Sequence, residues 1–346
     1  MSVVFVPYSA RGHVSPMLTV AAELAARGVP VRMVAGQRYA GAIAAAGVTP
    51  LGTVPDHDVR VPASVRIPDL VDRARVRAGR RRAWRATDQL CRAELLAERP
   101  ALMVVDPMVQ WAVALGRSLG VRSVPFFTTH VRAPRRVRTA LVNSMPPLQP
   151  GWERFGDGVR FVGPLVGGIT TPDPGVPWER IARRRVLLVS PGTVFARPRE
   201  FFLGIANRFA DTEWTVIMAT GHLHRGELGR LPDNVLAFRW VPQLELLRHA
   251  DVLLTHGGMN SVQEAIVAGV PMVVLPRIGE QRRTARLVHL LGLGERRDDG
   301  SVFRQVERVA ADPAMARRVA SMRRMAVGLP GASAAADLLL SLGAAC

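Results

Sequence analysis

The run WVPQLELLRHADVLLTHGGMNSVQEAIVAGVPMVVLPRIGEQ, residues 240–281, decides how this chain folds. Within it, DVLLTH (251–256) is an apolar stretch of strand length, followed by two glycines and a helical spacing that opens near Asn260. PMVVLP (271–276) is a second such strand. Strand, turn, helix and strand in that order describe a parallel sheet with a crossover helix, and leave His256 at the carboxyl end of a buried strand. Gly257 and Gly258 remove side chains there, so a ligand can approach the backbone closely. The helix start that follows, at Asn260 and Ser261, gathers unpaired N–H groups and partial positive charge, which together hold phosphate. Glu264 lies one turn further on, where its carboxylate can accept hydrogen bonds from two ribose hydroxyls. Trp240 ends an upstream strand with an indole able to stack on a base. A glycine pair alone also fits an ordinary tight strand–helix turn; the combination is what points to a nucleotide.

The same alternation extends in both directions. RVLLVS (185–190), WTVIMAT (214–220) and VLAFRW (235–240) read as strands, with a helix near Pro198 to Ala210. Helical spacing covers Val302 to Met325 and Ala332 to Leu342. In the first half, Ser2 to Pro7, Val31 to Ala35, Thr49 to Val54, ALMVVD (101–106) and VRSVPFF (121–127) read as strands. Ser15 offers an N-cap with Pro16 at the first helical position, and that helix runs to Gly28; others span Gln37 to Ala46 and Gln110 to Leu119. VGGITTPDPGVPWER (166–180) is rich in Gly, Pro and Thr and reads as a linker. The expected fold is α/β: a Rossmann-like domain over 1–165, a linker over 166–184 and a second Rossmann-like domain over 185–346. The last helix is a candidate to pack back on the first domain.

Composition narrows the classes. At roughly 100–200 residues per domain, 346 residues accommodate two. The formal charge is +18, yet 48% hydrophobic content excludes a disordered polybasic chain. All 46 basic residues are arginine, as a GC-biased codon supply would give. The clusters RVRAGRRRAWR (75–85) and VRAPRRVR (131–138) lack interleaved aromatics to stack bases, so they read as solvated surface with no nucleic-acid partner. Two cysteines, Cys91 and Cys346, exclude a disulfide scaffold. The opening MSVVFVPYS lacks a basic n-region, and no apolar run approaches the ~18 residues that span a bilayer, so a cytoplasmic protein without membrane insertion is expected.

Trp240, Pro242, Gln243, His249, Thr255, His256, Gly257, Gly258, Asn260, Ser261, Glu264, Gly269, Pro271, Pro276, Glu280 and Gln281 stand at the spacing of a known nucleotide-sugar signature. The stretch resembles that of family 1 glycosyltransferases, the UDP-glycosyltransferase superfamily, and especially its bacterial macrolide-glycosyltransferase-like branch. That resemblance implies a GT-B fold, in which two Rossmann-like domains face a cleft and the second binds the donor. Trp240 and Gln243 would meet the base and Glu264 the ribose. His256, Asn260 and Ser261 would hold the diphosphate, and Glu280 and Gln281 the sugar hydroxyls. Gly257 and Gly258 would give the ligand its close approach. SPGTVF (190–195) resembles the family's loop near the phosphates, with Gly192 and Thr193 in matching places; Pro191 replaces the leucine more common there.

In YSARGHVSP (8–16), His13 follows the first strand. A lone histidine there is usually loop or core, but the segment resembles the family's G-H-x-x-P motif, which carries the catalytic base. Asp106, ending ALMVVD, matches the aspartate that orients this base; its other reading is an N-cap for the next helix. The resemblance thus implies a metal-independent, inverting hexosyltransferase that uses a UDP- or dTDP-sugar as co-substrate and no cofactor. Its acceptor would be a hydroxyl of a small-molecule natural product, in secondary metabolism of the antibiotic type, with UDP the favoured nucleotide. A GT-B enzyme acting on a lipid-linked or cell-wall acceptor, and a non-catalytic homologue assisting a partner transferase, are the alternatives. Asp56-His57-Asp58 has the D-x-D form of a manganese site, but it lies in sequence of the other architecture. The N-terminal half looks shorter than is usual in the family, around 129–155 and 55–85, which predicts a more open or differently lidded cleft.

Overall fold

A computed structural model describes residues 1–51, 70–131, 137–182, 184–192, 197–298 and 300–344, with side chains in the second of these stretches from residue 84. These residues divide into two compact units, one of residues 1–51, 70–169 and 329–344, the other of residues 170–328.

The first unit runs β1 (Val3–Val6), α1 (Arg11–Ala26), β2 (Val31–Met33), α2 (Ala40–Ala45), β3 (Thr49–Pro50), α3 (Leu70–Ala97), β4 (Leu102–Val105), α4 (Gln110–Ser118), β5 (Arg122–Phe127), β6 (Ala140–Val142) and β7 (Val159–Phe161). Its strands form a parallel sheet in the order β3-β2-β1-β4-β5-β6-β7. β1 shows why a continuous apolar run becomes a central strand. Val3 and Phe5 join the core containing α1 and α2, while Val4 and Val6 join the one containing Leu95 of α3 and Leu115 of α4. Both faces are covered, so alternation with polar residues would leave a buried polar group on one of them.

The second unit runs α5 (Trp178–Ile181), β8 (Arg185–Ser190), α6 (Arg199–Phe209), β9 (Trp214–Ala219), α7 (Arg225–Leu228), β10 (Val235–Phe238), α8 (Gln243–Leu247), β11 (Val252–Thr255), α9 (Met259–Ala268), β12 (Met272–Val274), α10 (Gly279–Leu290), β13 (Gly294–Arg296), α11 (Val302–Ala311) and α12 (Pro313–Val327). Its parallel sheet has the order β10-β9-β8-β11-β12-β13. Each sheet therefore reverses its winding once, between β1 and β4 and between β8 and β11, and ligands of open α/β sheets bind at the carboxyl ends beside such a reversal. The final helix, α13 (Gly331–Ala344), belongs to the first unit, where Ala335, Ala336 and Leu339 enter the core with α1. Arg27 at the end of α1 meets Asp337 on α13 at 2.5 Å.

Several local expectations are corrected. α1 begins at Arg11 behind Ala10, not at Ser15, because His13 N and Val14 N already donate to Ala10 O at 2.8 and 3.0 Å. Pro16 thus sits inside the helix, and the Ser15 hydroxyl accepts from Ile169 N at 3.1 Å instead of capping. The expected helix over Val302 to Met325 is two helices. Asp312 interrupts it, its carboxylate accepting from Ala314 N at 2.8 Å and Met315 N at 3.0 Å to cap α12, with Pro313 in the first turn. One stretch, Pro313–Ala344, is long and apolar enough to cross a membrane by length and composition, against the expectation of none. It is divided between α12 and α13. Of the residues expected in the linker, Ile169 is held to the first unit by Arg11 Nη2, 2.7 Å from its carbonyl, and the second unit begins at Thr170. The cluster 75–85 lies on α3; Asp56-His57-Asp58 and residues 132–136 fall outside the described residues.

Candidate functional site

At the reversal of the first sheet, three strand ends converge chemically. His13 follows β1 in the first turn of α1, Asp106 follows β4, and Thr128 follows β5, in a sheet where β1, β4 and β5 are neighbours. His13 Nδ1 lies 2.6 Å from Asp106 Oδ2 and 2.7 Å from Thr128 Oγ1. Asp106 is 2% exposed and His13 15%, so the carboxylate is sealed while the imidazole side chain stays partly exposed. An ionised carboxylate only accepts, which puts the proton on Nδ1 and the lone pair on Nε2. Tyr8 packs edge-on to the ring with centroids 5.3 Å apart, adding a second restraint on its plane. Asp106 Oδ1 meanwhile accepts from Met108 N at 2.8 Å, and its carbonyl accepts from Val109 N at 2.8 Å. One aspartate therefore orients the histidine and shapes the turn into α4, whose N-cap position is Val109.

At the reversal of the second sheet the groups are of another kind. Gln243, opening α8, receives a hydrogen bond on Oε1 from the Ser190 hydroxyl at the end of β8. Its amide donates to Glu264 Oε2 at 2.5 Å and to Ser261 Oγ at 3.2 Å. Ser261 and Glu264 are three residues apart on α9 and so share a face, which this network fixes beside β8. Trp240, just beyond β10, is 46% exposed.

His256 follows β11 and is flanked by glycines for a steric reason. A Cβ on Gly192 would fall 2.8 Å from His256 Cε1, and one on Gly258 2.4 Å from Nε2. Gly257, at φ +81°, would drive a Cβ to 2.6 Å from Val274 Cγ1. Burial, and then the guanidinium of Arg197, push the imidazolium down to about 4, against a smaller opposing effect of the Ser190 backbone. His256 is therefore neutral near pH 7. Asn260 lies beside Ser261 in the first turn of α9, and Glu280 in the first turn of α10. Gln281 is buried at 3% exposure, and its Oε1 accepts from Arg277 N at 2.8 Å and Ile278 N at 3.4 Å, so this amide oxygen is engaged in starting α10. Gly192 lies against His256, whereas Thr193 falls outside the described residues.

Sequence reasoning missed Thr128, Ser190 and Arg197. The first two share a readable signal, a hydroxyl residue closing an apolar strand beside a reversal; Arg197 has none, being one of 46 arginines. Among the described residues no group of three or more His, Cys, Asp or Glu is arranged for a metal ion.

The family described as UDP-glucoronosyl and UDP-glucosyl transferase matches residues 159–297. The NDP-glycosyltransferase YjiC of Bacillus licheniformis is 37% identical over 196 residues, 55% of this chain and 50% of that protein. The oleandomycin glycosyltransferase of Streptomyces antibioticus is 32% identical over 201 residues, 56% of this chain and 46% of that protein. In these alignments the chain spans about half the length of the curated relatives it matches. Solved structures resemble it over nearly its whole length. A glycotransferase of kitacinnamycin gives a TM-score of 0.81 at 27% identity, covering 99% of this chain and 98% of that one. The calicheamicin glycosyltransferase gives 0.79 at 28%, with the same coverage. With two parallel-sheet units of this kind, the fold is GT-B.

Proposed function

We propose that this chain, whose residues 159–297 match the UDP-glucoronosyl and UDP-glucosyl transferase family, is an inverting glycosyltransferase. It moves a hexose from a UDP- or dTDP-sugar to a hydroxyl of a small-molecule natural product, in the cytoplasm and without a metal. The names of its relatives, among them an oleandomycin and a calicheamicin glycosyltransferase, support the substrate class.

The observation that carries the chemistry is the 2.6 Å contact between His13 Nδ1 and Asp106 Oδ2. A hydroxyl is a poor nucleophile at neutral pH, so a base must take its proton as it attacks. His13 Nε2 is that base, and the imidazolium formed is stabilised by the buried carboxylate on the opposite nitrogen. The acceptor oxygen attacks the anomeric carbon from the side opposite the diphosphate, the carbon–oxygen bond to the diphosphate breaks, and the configuration inverts. On the donor, Trp240 stacks on the base. The ribose meets Glu264, whose orientation is set by Gln243, and Asn260, Ser261 and the α9 N-terminus take the diphosphate charge beside neutral His256. Glu280 contacts the sugar; Gln281 contributes through its amide nitrogen or through α10. An intact base–carboxylate pair favours this reading over a non-catalytic homologue.

Incubating the protein with UDP- and dTDP-sugars and a pool of hydroxylated natural products tests it. The expected result is release of free nucleoside diphosphate together with a product heavier by one hexose and of inverted anomeric configuration. A retained configuration, or undiminished turnover in His13→Ala, contradicts it.

A further inference from the structure

The donor site holds a charged side chain that the reaction as described leaves unused. Arg197 lies beyond the carboxyl end of β8, just ahead of α6, and is half-buried. Its Nη2 donates to Leu275 O at 3.0 Å, at the end of β12, and its guanidinium carbon sits 4.9 Å from the centre of the Phe201 ring. Nε is buried without a hydrogen-bond partner. Among the described residues no carboxylate pairs with this guanidinium. Burial, and then the charge of Arg277, lower its pKa to about 10, and its own charge acts on His256. It is still a cation at neutral pH.

Desolvating a guanidinium is costly, and proteins ordinarily place an acid beside one. Here the charge acting on it is a second arginine, the imidazole beside it is neutral, and its Nε is left unsatisfied, a setting that an anion would complete. Its position agrees. Of the acids assigned to the donor, Glu264 lies on the Gln243 side, where the ribose is read, and Glu280 opens α10, whereas Arg197 and His256 follow β8 and β11.

Resting on the reading of this unit as the donor site, we propose that Arg197, supported by Arg277, binds the diphosphate of the donor and receives the negative charge that develops as the sugar departs. Its planar guanidinium donates in fixed directions and suits phosphate oxygens better than an ammonium would. The nucleoside moiety is read elsewhere in the site, so the two contributions separate experimentally.

Calorimetric titration of UDP, dTDP and uridine into the wild-type chain, Arg197→Met and Arg197→Lys makes that separation. Arg197→Met is expected to weaken UDP and dTDP by ~10–100-fold, the scale of one charge-assisted hydrogen bond, while uridine changes by less than about twofold. Arg197→Lys recovers part of the loss, and the dependence of UDP affinity on NaCl becomes shallower in Arg197→Met. Unchanged UDP affinity in Arg197→Met, or equal losses for UDP and uridine, overturns the proposal while leaving the donor site standing. If Arg197→Met does not fold, Arg277→Met carries the same selective loss at a smaller factor, and its absence there counts equally against the proposal. Should the wild type bind neither UDP nor dTDP, the donor-site reading itself falls, and this inference with it.

Discussion

The two sheet reversals are alike in topology and opposed in chemistry. Both lie at the ends of parallel strands wound in the same order, β2-β1-β4 in the first unit and β9-β8-β11 in the second. The first gathers a buried acid, a hydroxyl and a partly exposed imidazole, to which the proposed function gives the movement of a proton. The second gathers glycines, an imidazole kept neutral, a guanidinium and an amide network, to which the proposed function gives the holding of an anion and its nucleoside. The fold thus decides where a site stands, and a handful of residues just past each strand decide what it does.

The comparison breaks first at Asp106. Asp106→Asn keeps an acceptor for Met108 N but offers an amide to His13, favouring the wrong tautomer. Turnover is expected to fall by about 10²–10⁴-fold with UDP affinity unchanged, measured by steady-state kinetics beside titration. Gly258→Ala disturbs the other reversal, because its Cβ would press within 2.4 Å of His256 Nε2. UDP affinity should fall ~10-fold or more, with about 1–3 kcal/mol lost from stability in urea titration. Gln243→Leu removes the link between Ser190, Ser261 and Glu264, so donor KM is expected to rise ~10-fold while kcat changes less.

A pH series addresses the neutral imidazole. His256 titrates near 4 when folded and near its ordinary 6.5 when unfolded, so the unfolded chain binds the extra proton between those values. The stability it contributes is complete above pH 6.5 and is lost as pH falls toward 4. Wild type should lose more stability across that window than His256→Asn, by about 1–3 kcal/mol, read from urea midpoints at each pH. Equal losses would mean that the imidazole is not held neutral. The smallest effect is expected at Thr128→Val: a fall in kcat of roughly 3–10-fold for the loss of one hydrogen bond, read by steady-state kinetics.

Much of this was legible in the sequence because buried parallel strands leave uninterrupted apolar runs. RVLLVS (185–190) is β8 to the residue, and ALMVVD and DVLLTH each contain their strand with the functional residue following it. Three short strands were not legible: β6, β7 and β13 are three residues each, and Gly294 in β13 carries no strand preference of its own. The start of α1 was misplaced because proline favours a first turn, yet backbone hydrogen bonds to Ala10 close the helix earlier. Likewise, Asp312-Pro313 is a cap-and-start signal hidden within an unbroken helical spacing. Within the sites, His13, Asp106 and the α9 residues could be read because glycines and strand ends frame them. The resemblance implies a sugar contact for Gln281, but not that its amide oxygen also closes a turn, a contact set by three-dimensional register. Arg197 was invisible because its meaning lies in what surrounds it: a second arginine and, among the described residues, no carboxylate paired with its guanidinium.

The division of labour between the two units is tested most directly in one variant, His13→Ala, by measuring turnover and UDP affinity on the same preparation. Loss of the base should cut hexose transfer by about 10²–10⁴-fold while the dissociation constant for UDP stays within about twofold of wild type. Transfer at the wild-type rate, or UDP affinity lost in step with it, would contradict the assignment of proton transfer to the first reversal and nucleotide binding to the second.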